Sequence, residues 1–479
     1  MSQNTPGVLR SDLMDASTSA IATAAAIRAK EISPLEVLEA TLARIDDKNP
    51  ELNAIIWRND DEARAEARAL GDRIARGEAT PPFAGVPIPI KDLAAAAGQP
   101  ITHGSWGVPD GPAAESELPV ACLADAGFVL TGRTNSPEFG SVSITENDRF
   151  GITRNPWDPT KTPGGSSGGA AAVVASGMFP VAHASDGGGS IRIPASCCGL
   201  VGHKPSRGLV SDSVPLWSGL STEGAVTRTV ADAAAVLDVM SSADPYAWWS
   251  QPRPVRSFLD EVGADPGRLR IAINTTSALG LEIAPEAHVA VERAGALLES
   301  LGHHVTRLDQ DVFVPEGLGA FLTLMDGGLA GYPDMDWDKV EPHNQASRQA
   351  ALATSSVDFN EALMQLQVLS RNLYQRFDDE FDLLLTPTMA IEPPETGLLS
   401  QVHASPDAPI LEIIGMAAFT AVFNISGQPA VSLPLHVSPS GLPVGIQLVA
   451  GPFRDAQLFR VAAQLEAAAP WADRYPFLG

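Results

Sequence analysis

In the first part of the chain, hydrophobic and polar residues have the spacing of helices. Later in the chain, helical spacing alternates with short apolar runs. The first 80 residues have the pattern of helices, and their clearest local feature is the sequence Ser33-Pro34-Leu35-Glu36. It supplies an N-cap, a proline in the first turn and a capping-box glutamate, so we predict a helix from here to about Ile45. Ahead of it, the alanine-rich segment 20–26 predicts an amphipathic helix rather than an export signal.

Further along, short apolar runs alternate with helical patterns. This alternation predicts an α/β fold with a central mixed, twisted sheet covered by helices on both faces. We expect one domain over residues 1–479, with an N-terminal helical region (about 1–80), a glycine-rich core (about 81–230) and a variable region (about 310–420). The runs lie at residues 128–130, 179–181, 269–273, 383–385, 431–433 and 446–449.

Composition and charge limit the kinds of molecule that this protein is expected to bind. The chain of 479 residues is 44% hydrophobic and 19% charged, which is typical of a globular protein that buries a large core. Its formal net charge of -25 should repel phosphate backbones and anionic lipids, although solubility alone also explains such acidity. We therefore expect a cytoplasmic monomer or homodimer with no nucleic-acid or membrane partner.

The cysteines and histidines give no pattern of disulfide or metal chemistry. Three cysteines are an odd number, and Cys197 and Cys198 are adjacent, so the sequence predicts no disulfide framework. The nine histidines are scattered, and neither C-x-x-C nor H-E-x-x-H spacing occurs. We expect no metal and no cofactor.

The first glycine-rich stretch, residues 163–169, runs into an alanine-rich segment at 170–175. Such a stretch is compatible with a phosphate cradle at a helix N-terminus, with a bent backbone that projects serine hydroxyls into a cleft, or with a plain loop. The Walker lysine and the G-x-G-x-x-G pattern of phosphate binding are both missing. Taken alone, the stretch leaves all three interpretations open.

The second glycine run, Gly187-Gly188-Gly189, directly precedes Ser190. Small residues allow successive backbone N–H groups to point at one spot, as an oxyanion hole requires, while the Ser190 hydroxyl attacks a carbonyl carbon. A flexible glycine turn is the alternative. The run therefore indicates a candidate nucleophile with a candidate oxyanion hole.

A serine nucleophile needs a base, and Lys91 is the candidate. No histidine lies in a recognisable triad motif, and His183 sits in an apolar run where a core role is at least as well supported. Lys91 ends the apolar strand pattern of residues 87–91. If this lysine is buried, desolvation removes its charge and makes it a proton acceptor. The alternative is that it is a charged residue on the protein surface.

Together these residues resemble the amidase signature family. The order of Lys91, the segment 164–169 and the segment 186–195 matches its pattern, as does the spacing of 24 residues between Ser166 and Ser190. The resemblance runs from about residue 20 to about residue 470. Further matching segments are 131–135, 202–205, 227–230 and 424–430.

The resemblance implies the amidase signature fold and a Ser-cisSer-Lys triad. In it, Ser190 attacks and Ser166 relays the proton to neutral Lys91, then returns a proton to the leaving amine. The family holds the peptide between Gly165 and Ser166 in the cis form. The supporting residues that it implies, which orient the two loops by hydrogen bonds, are Ser167, Asp186 and Arg192.

Within this family, the resemblance favours a stand-alone hydrolase of small, neutral amides and carbamates. It is strongest to bacterial amidases that open nylon-type cyclic oligomers and to metagenome-derived urethanases. The alternative is the glutaminase-type subunit of an amidotransferase, which acts on glutamine with partner proteins. We match none of that subunit's glutamine-binding residues between 310 and 400.

The pocket for an aryl or alkyl substrate is expected among apolar residues outside the glycine-rich segments. The candidates are Trp217, Leu220, Met325 and Phe419. A role in the hydrophobic core is the alternative for each of them, because aromatic and methionine side chains usually lie there.

Overall fold

The helices and strands follow the sequence patterns closely. A computed structural model describes residues 17–211, 216–241, 244, 246–247, 249, 251, 254–277, 279–308, 312, 316–332, 335–406 and 410–476. The helices are α1 (Ala20–Arg28), α2 (Pro34–Leu52), α3 (Asp60–Ala75), α4 (Leu118–Asp125), α5 (Gly168–Ala175), α6 (Arg192–Cys198), α7 (Val230–Met240), α8 (Pro285–Ser300), α9 (Glu316–Ala330), α10 (Pro342–Ala353), α11 (Ser356–Asp379), α12 (Leu399–Ala404), α13 (Leu411–Ala417), α14 (Ala421–Ile425) and α15 (Asp455–Ala468). The strands are β1 (Ile55–Trp57), β2 (Pro87–Lys91), β3 (Val129–Thr134), β4 (Glu146–Asn147), β5 (Gly151–Ile152), β6 (Val181–Asp186), β7 (Val201–Lys204), β8 (Thr222–Thr227), β9 (Arg270–Ile273), β10 (His304–Arg307), β11 (Leu383–Pro387), β12 (Ala430–Val437) and β13 (Pro443–Ala450).

The start of α2 is the predicted capping box. The Glu36 N–H donates to Ser33 Oγ at 3.2 Å, and the Ser33 N–H donates to Glu36 Oε2 at 2.9 Å. The helix ends at Leu52, beyond the predicted limit near Ile45. The side chains of Ile45 and Leu52 are buried in the same core cluster, so tertiary packing stabilises the helix through its last turn.

The largest sheet has eight strands in the order β10-β9-β11-β13-β12-β7-β8-β6. β9 pairs in parallel with β10 and β11, and the remaining pairs are antiparallel. The sheet is therefore mixed, as predicted. All six apolar runs overlap strands, whereas β7, β8 and β10 of this sheet were not predicted.

Helices cover both faces of this sheet. Ile271 and Ile273 of β9 pack in one core cluster with residues of α7, α8 and α15. Ala272, between them, faces the other way and packs with residues of α11 and α14. Because neighbouring strand residues point to opposite faces, this alternation places a helical layer on each side and confirms the predicted α/β fold.

A smaller sheet, in the order β1-β3-β2, meets the large sheet at β6. The backbone N–H of Lys91, at the end of β2, donates to Nδ1 of His183 in β6 at 3.4 Å. The candidate base therefore lies where the two sheets meet. Among the helices of the described residues, none combines the length and apolar character that crossing a bilayer requires.

Candidate active site

Lys91 is fully buried at the end of β2. Its Nζ lies 2.8 Å from Ser166 Oγ and 3.0 Å from Ser185 Oγ. Burial lowers the pKa of Lys91 to about 7, although the charges of Glu223 and Asp186 oppose the shift. A substantial fraction of this amine is therefore uncharged near neutral pH and able to accept a proton from a hydroxyl.

Glycine residues pack closely in and around the loop that carries Ser166. The peptide between Gly165 and Ser166 is cis. A Cβ on Gly165 would lie 2.5 Å from the carbonyl oxygen of Ile144, and a Cβ on Gly140 would lie 3.1 Å from Ser166 Oγ. A side chain at Gly165 would collide with the backbone of Ile144, and one at Gly140 would press on the side chains of Leu93 and Ser166.

Ser190 follows the glycine run after β6 and is partly exposed, whereas Ser166 is 2% exposed. Ser167 connects the two loops. Its N–H donates to the Ser190 carbonyl at 3.3 Å, and its hydroxyl donates to the Ser185 carbonyl at 3.1 Å. The structure thus brings the predicted residues Lys91, Ser166, Ser167 and Ser190 into one cluster.

A buried ion pair shapes the loop before Ser190. Arg192 Nε and Nη2 each lie 2.9 Å from a carboxylate oxygen of Asp186. Burial alone would raise the pKa of Asp186, but the charge and hydrogen bonds of Arg192 outweigh it and hold this pKa well below its usual range. Arg192 also donates to Gln447 Oε1 at 2.7 Å and to Asn424 Oδ1 at 2.7 Å, which anchors the loop to β13 and α14.

The Asp186 carboxylate also changes the expected oxyanion hole. Gly189 donates its backbone N–H to Asp186 Oδ1 at 2.7 Å. This N–H already has a strong acceptor inside the loop, so the prediction for Gly189 is corrected. Its φ of +133° and the close approach of Thr420 still require glycine there. Gly187 and Gly188 remain as the predicted oxyanion donors.

Three of the four predicted pocket residues lie together beside the glycine run. Trp217, Leu220 and Met325 share one apolar cluster with residues of α9 and α11. The Trp217 ring covers Gly187, since a Cβ there would lie 2.3 Å from ring carbon Cζ3. Phe419 is not brought together with them, because it packs in a separate cluster with Ile283 and other residues.

Sequence reasoning missed several groups that support Lys91. Ser185 and His183 alternate on β6, so their side chains share the face toward Lys91. His183 Nε2 lies 2.8 Å from Glu223 Oε2 on the neighbouring β8. The spacing of two between His183 and Ser185 in β6 is the sequence feature that indicates this arrangement.

A second cluster of interest lies in the variable region. Glu341, His343 and His403 each place one potential metal-ligand atom within 4.8 Å of the others. Sequence spacing did not predict this cluster, since His403 lies 60 residues beyond His343.

A buried lysine in contact with a serine hydroxyl, beside a glycine-rich loop that ends in a partly exposed serine, is compatible with the hydrolase class. The chain belongs to the amidase family: the family model described as Amidase matches residues 36–315 and 337–459. It is accordingly a hydrolase that acts on carbon–nitrogen bonds.

Similar proteins cover almost the whole chain. The 6-aminohexanoate-cyclic-dimer hydrolase of Paenarthrobacter ureafaciens is 38% identical, and the match covers 96% of each chain. A solved structure of 6-aminohexanoate cyclic dimer hydrolase complexed with substrate has a TM-score of 0.88 at 35% identity, covering 97% of this chain and 99% of that one. A bacterial aryl acylamidase structure has a TM-score of 0.86 at 29% identity, covering 96% and 99%.

Proposed function

We propose that this enzyme hydrolyses neutral amides and carbamates through an acyl-enzyme on Ser190. The observation that carries the proposal is the contact of 2.8 Å between Ser166 Oγ and the buried Nζ of Lys91, whose pKa burial lowers to about 7. A serine hydroxyl is a weak nucleophile unless a base removes its proton. An uncharged lysine that reaches Ser190 through Ser166 supplies that base.

The proposed reaction proceeds in two halves. Ser190 Oγ attacks the carbonyl carbon while its proton passes to Ser166 and the Ser166 proton passes to Lys91. The N–H groups of Gly187 and Gly188 stabilise the resulting oxyanion. When the carbon–nitrogen bond breaks, Ser166 passes a proton to the leaving amine and takes back the proton held by Lys91. Water then attacks the ester on Ser190 by the same relay and releases the acid.

The same machinery suits a carbamate, because its carbonyl carbon carries the same partial positive charge between nitrogen and oxygen. Breaking the carbon–nitrogen bond first leaves a carbonate ester on Ser190, and breaking the carbon–oxygen bond first leaves a carbamoyl ester. The Trp217 ring over Gly187 and the apolar cluster around it support a neutral substrate with an aryl or alkyl group. The relatives named for the cyclic dimer of 6-aminohexanoate and for aryl acylamides also support this class.

We also propose that the enzyme acts in the cytoplasm, as a monomer or homodimer, without nucleic acid or membrane. Its net charge of -25 supports this by favouring solubility and disfavouring anionic surfaces.

The nucleophile is tested with a fluorophosphonate probe. We expect the probe to label the wild type and to leave Ser190→Ala unlabelled, with hydrolysis lost in the same variant. Ser176→Ala is the matched control, because its buried hydroxyl contacts only the Val173 carbonyl among the described residues, at 3.3 Å. Undiminished labelling of Ser190→Ala would place the nucleophile elsewhere.

Substrate class is tested by comparing rates on an aryl amide, its carbamate analogue and glutamine. We expect activity on the first two and little on glutamine, because the wall formed by Trp217, Leu220 and Met325 is apolar. Leu220→Ala and Met325→Ala should change the ratio of amide to carbamate rates while probe labelling of Ser190 persists. A preference for glutamine would favour the amidotransferase alternative.

A further inference from the structure

Glu341, His343 and His403 form a buried cluster of three possible metal ligands. Glu341 precedes α10, His343 lies in its first turn, and His403 lies at the end of α12. Glu341 Oε2 is 3.8 Å from His343 Nδ1 and 3.5 Å from His403 Nε2. Glu341 and His343 are 3% and 7% exposed, so both are more than nine-tenths buried.

All three converging atoms lack a hydrogen-bond partner within the described part of the chain. They are Glu341 Oε2, His343 Nδ1 and His403 Nε2. Leaving buried polar atoms unpaired is costly, so a group of them aimed at one point indicates a ligand. We propose that these residues bind a divalent transition-metal ion of the zinc type, at a site separate from the serine and lysine cluster.

The chemistry of the three side chains favours this class of ion. Two imidazole nitrogens and one carboxylate oxygen suit zinc and similar ions, whereas magnesium and calcium prefer oxygen ligands.

The surroundings of His343 match those of a metal-bound histidine. Such a histidine usually directs its second ring nitrogen to a fixed acceptor, which sets its orientation. His343 Nε2 lies 3.1 Å from Ser141 Oγ. With Nδ1 on the metal, the Nε2–H donates to this hydroxyl. His403 is partly exposed, so solvent has access to complete the coordination.

The site also has a short structural path to Ser166. Ser141 directly follows Gly140, at which a Cβ would lie 3.1 Å from Ser166 Oγ. On the same segment, Glu138 Oε2 accepts from the Glu341 N–H at 2.9 Å and from Asn344 Nδ2 at 2.8 Å. A bound ion would therefore connect α10 and α12 and stiffen the segment that packs against Ser166, without entering the reaction.

The proposal is tested by titrating zinc into chelator-treated full-length enzyme at constant neutral pH, using calorimetry. We expect one tight equivalent in the wild type and its loss in Glu341→Gln and in His403→Ala. His288→Ala, which removes an exposed histidine from α8, is the matched control and should keep that equivalent. Ser141→Ala should weaken binding by about 10–100-fold, as loss of a partner behind a metal ligand usually does.

Two further readouts separate this proposal from the proposed function. Zinc should raise the midpoint of thermal unfolding of the wild type but not of Glu341→Gln, and magnesium should do neither. The chelator-treated enzyme should still be labelled at Ser190 by the fluorophosphonate probe, because the ion has no part in acylation. Absence of saturable zinc binding, or binding by Glu341→Gln and His403→Ala equal to that of the wild type, would overturn the site.

Discussion

At the scale of single residues, the charge state of the proposed base Lys91 should set the pH dependence of the reaction. Burial lowers its pKa to about 7, so it is mostly protonated below that pH and mostly neutral above it. Only the neutral amine accepts a proton. We therefore expect kcat/KM for a neutral substrate to rise with pH through about 7 and then level off, provided that the substrate itself does not titrate. A flat profile from pH 5 to 9 would contradict this assignment.

Replacing Lys91 tests the same residue without a change of pH. Lys91→Met should lower the rate by at least about 10²–10⁴-fold, the usual contribution of general base catalysis. Its midpoint of thermal unfolding should not fall, because methionine removes a group that is costly to bury in charged form. Lys204→Met is the matched control for a second buried lysine. Its Nζ donates to the Pro205 carbonyl at 2.9 Å, and Ser166 is not among its described contacts.

The success of prediction from sequence varied most among individual residues. Lys91 and Ser166 lie side by side, as the family resemblance implied, although the apolar run before Lys91 did not by itself distinguish a buried base from a surface residue. Gly189 was misassigned as an oxyanion donor, because its N–H is taken by Asp186 through a turn that the sequence does not specify. Gln447 and Ser185 carry no motif, and their roles depend on contacts made across the fold.

At the scale of elements, the ion pair between β6 and α6 holds the candidate oxyanion loop. Asp186 and Arg192 are both fully buried. Asp186→Asn should leave the Arg192 charge buried without its counter-ion and lower the free energy of unfolding by about 3–5 kcal/mol. Urea denaturation would measure the change.

A surface pair provides the control for this prediction. Asp378→Asn removes the partner of Arg454, where both side chains are largely exposed and 3.4 Å apart. Such pairs contribute about 0–1 kcal/mol. If both substitutions lower stability equally, the Asp186 pair does not hold the loop in the way described.

Some helices and strands could be predicted from the sequence, and others could not. The α2 helix was predicted because Ser33 and Glu36 form its capping box locally. β11 and β13 were predicted because each contains a largely apolar run, and both strands are buried along their whole length. β8 was missed because residues such as Thr222 and Gly224 have no marked apolar pattern, and its pairing with β6 across the sheet stabilises it.

At the scale of the whole molecule, we propose that the chain is one domain. The eight-stranded sheet joins β6, β7 and β8 of the glycine-rich core to β9–β13 of the later sequence. β12 contacts β7 directly, with Ala430 opposite Lys204. We expect urea unfolding followed by far-ultraviolet circular dichroism, tryptophan fluorescence and residual activity to give coincident transitions. Separate transitions would indicate two units.

The position of Trp217 has a consequence for how this enzyme can acquire new specificities. The indole is enclosed by two residues without side chains, since a Cβ on Gly187 or on Gly328 of α9 would lie within 2.3 Å of its ring. The candidate oxyanion loop and the adjoining wall therefore meet at positions that have no room for a side chain. Substitutions at most positions of α9 can change the shape of this wall while the acylation chemistry persists. Gly328 is an exception, because a single added methyl group there forces the indole toward the nucleophile. Libraries for bulkier polymers should vary Met325 and its neighbours and keep Gly328 fixed.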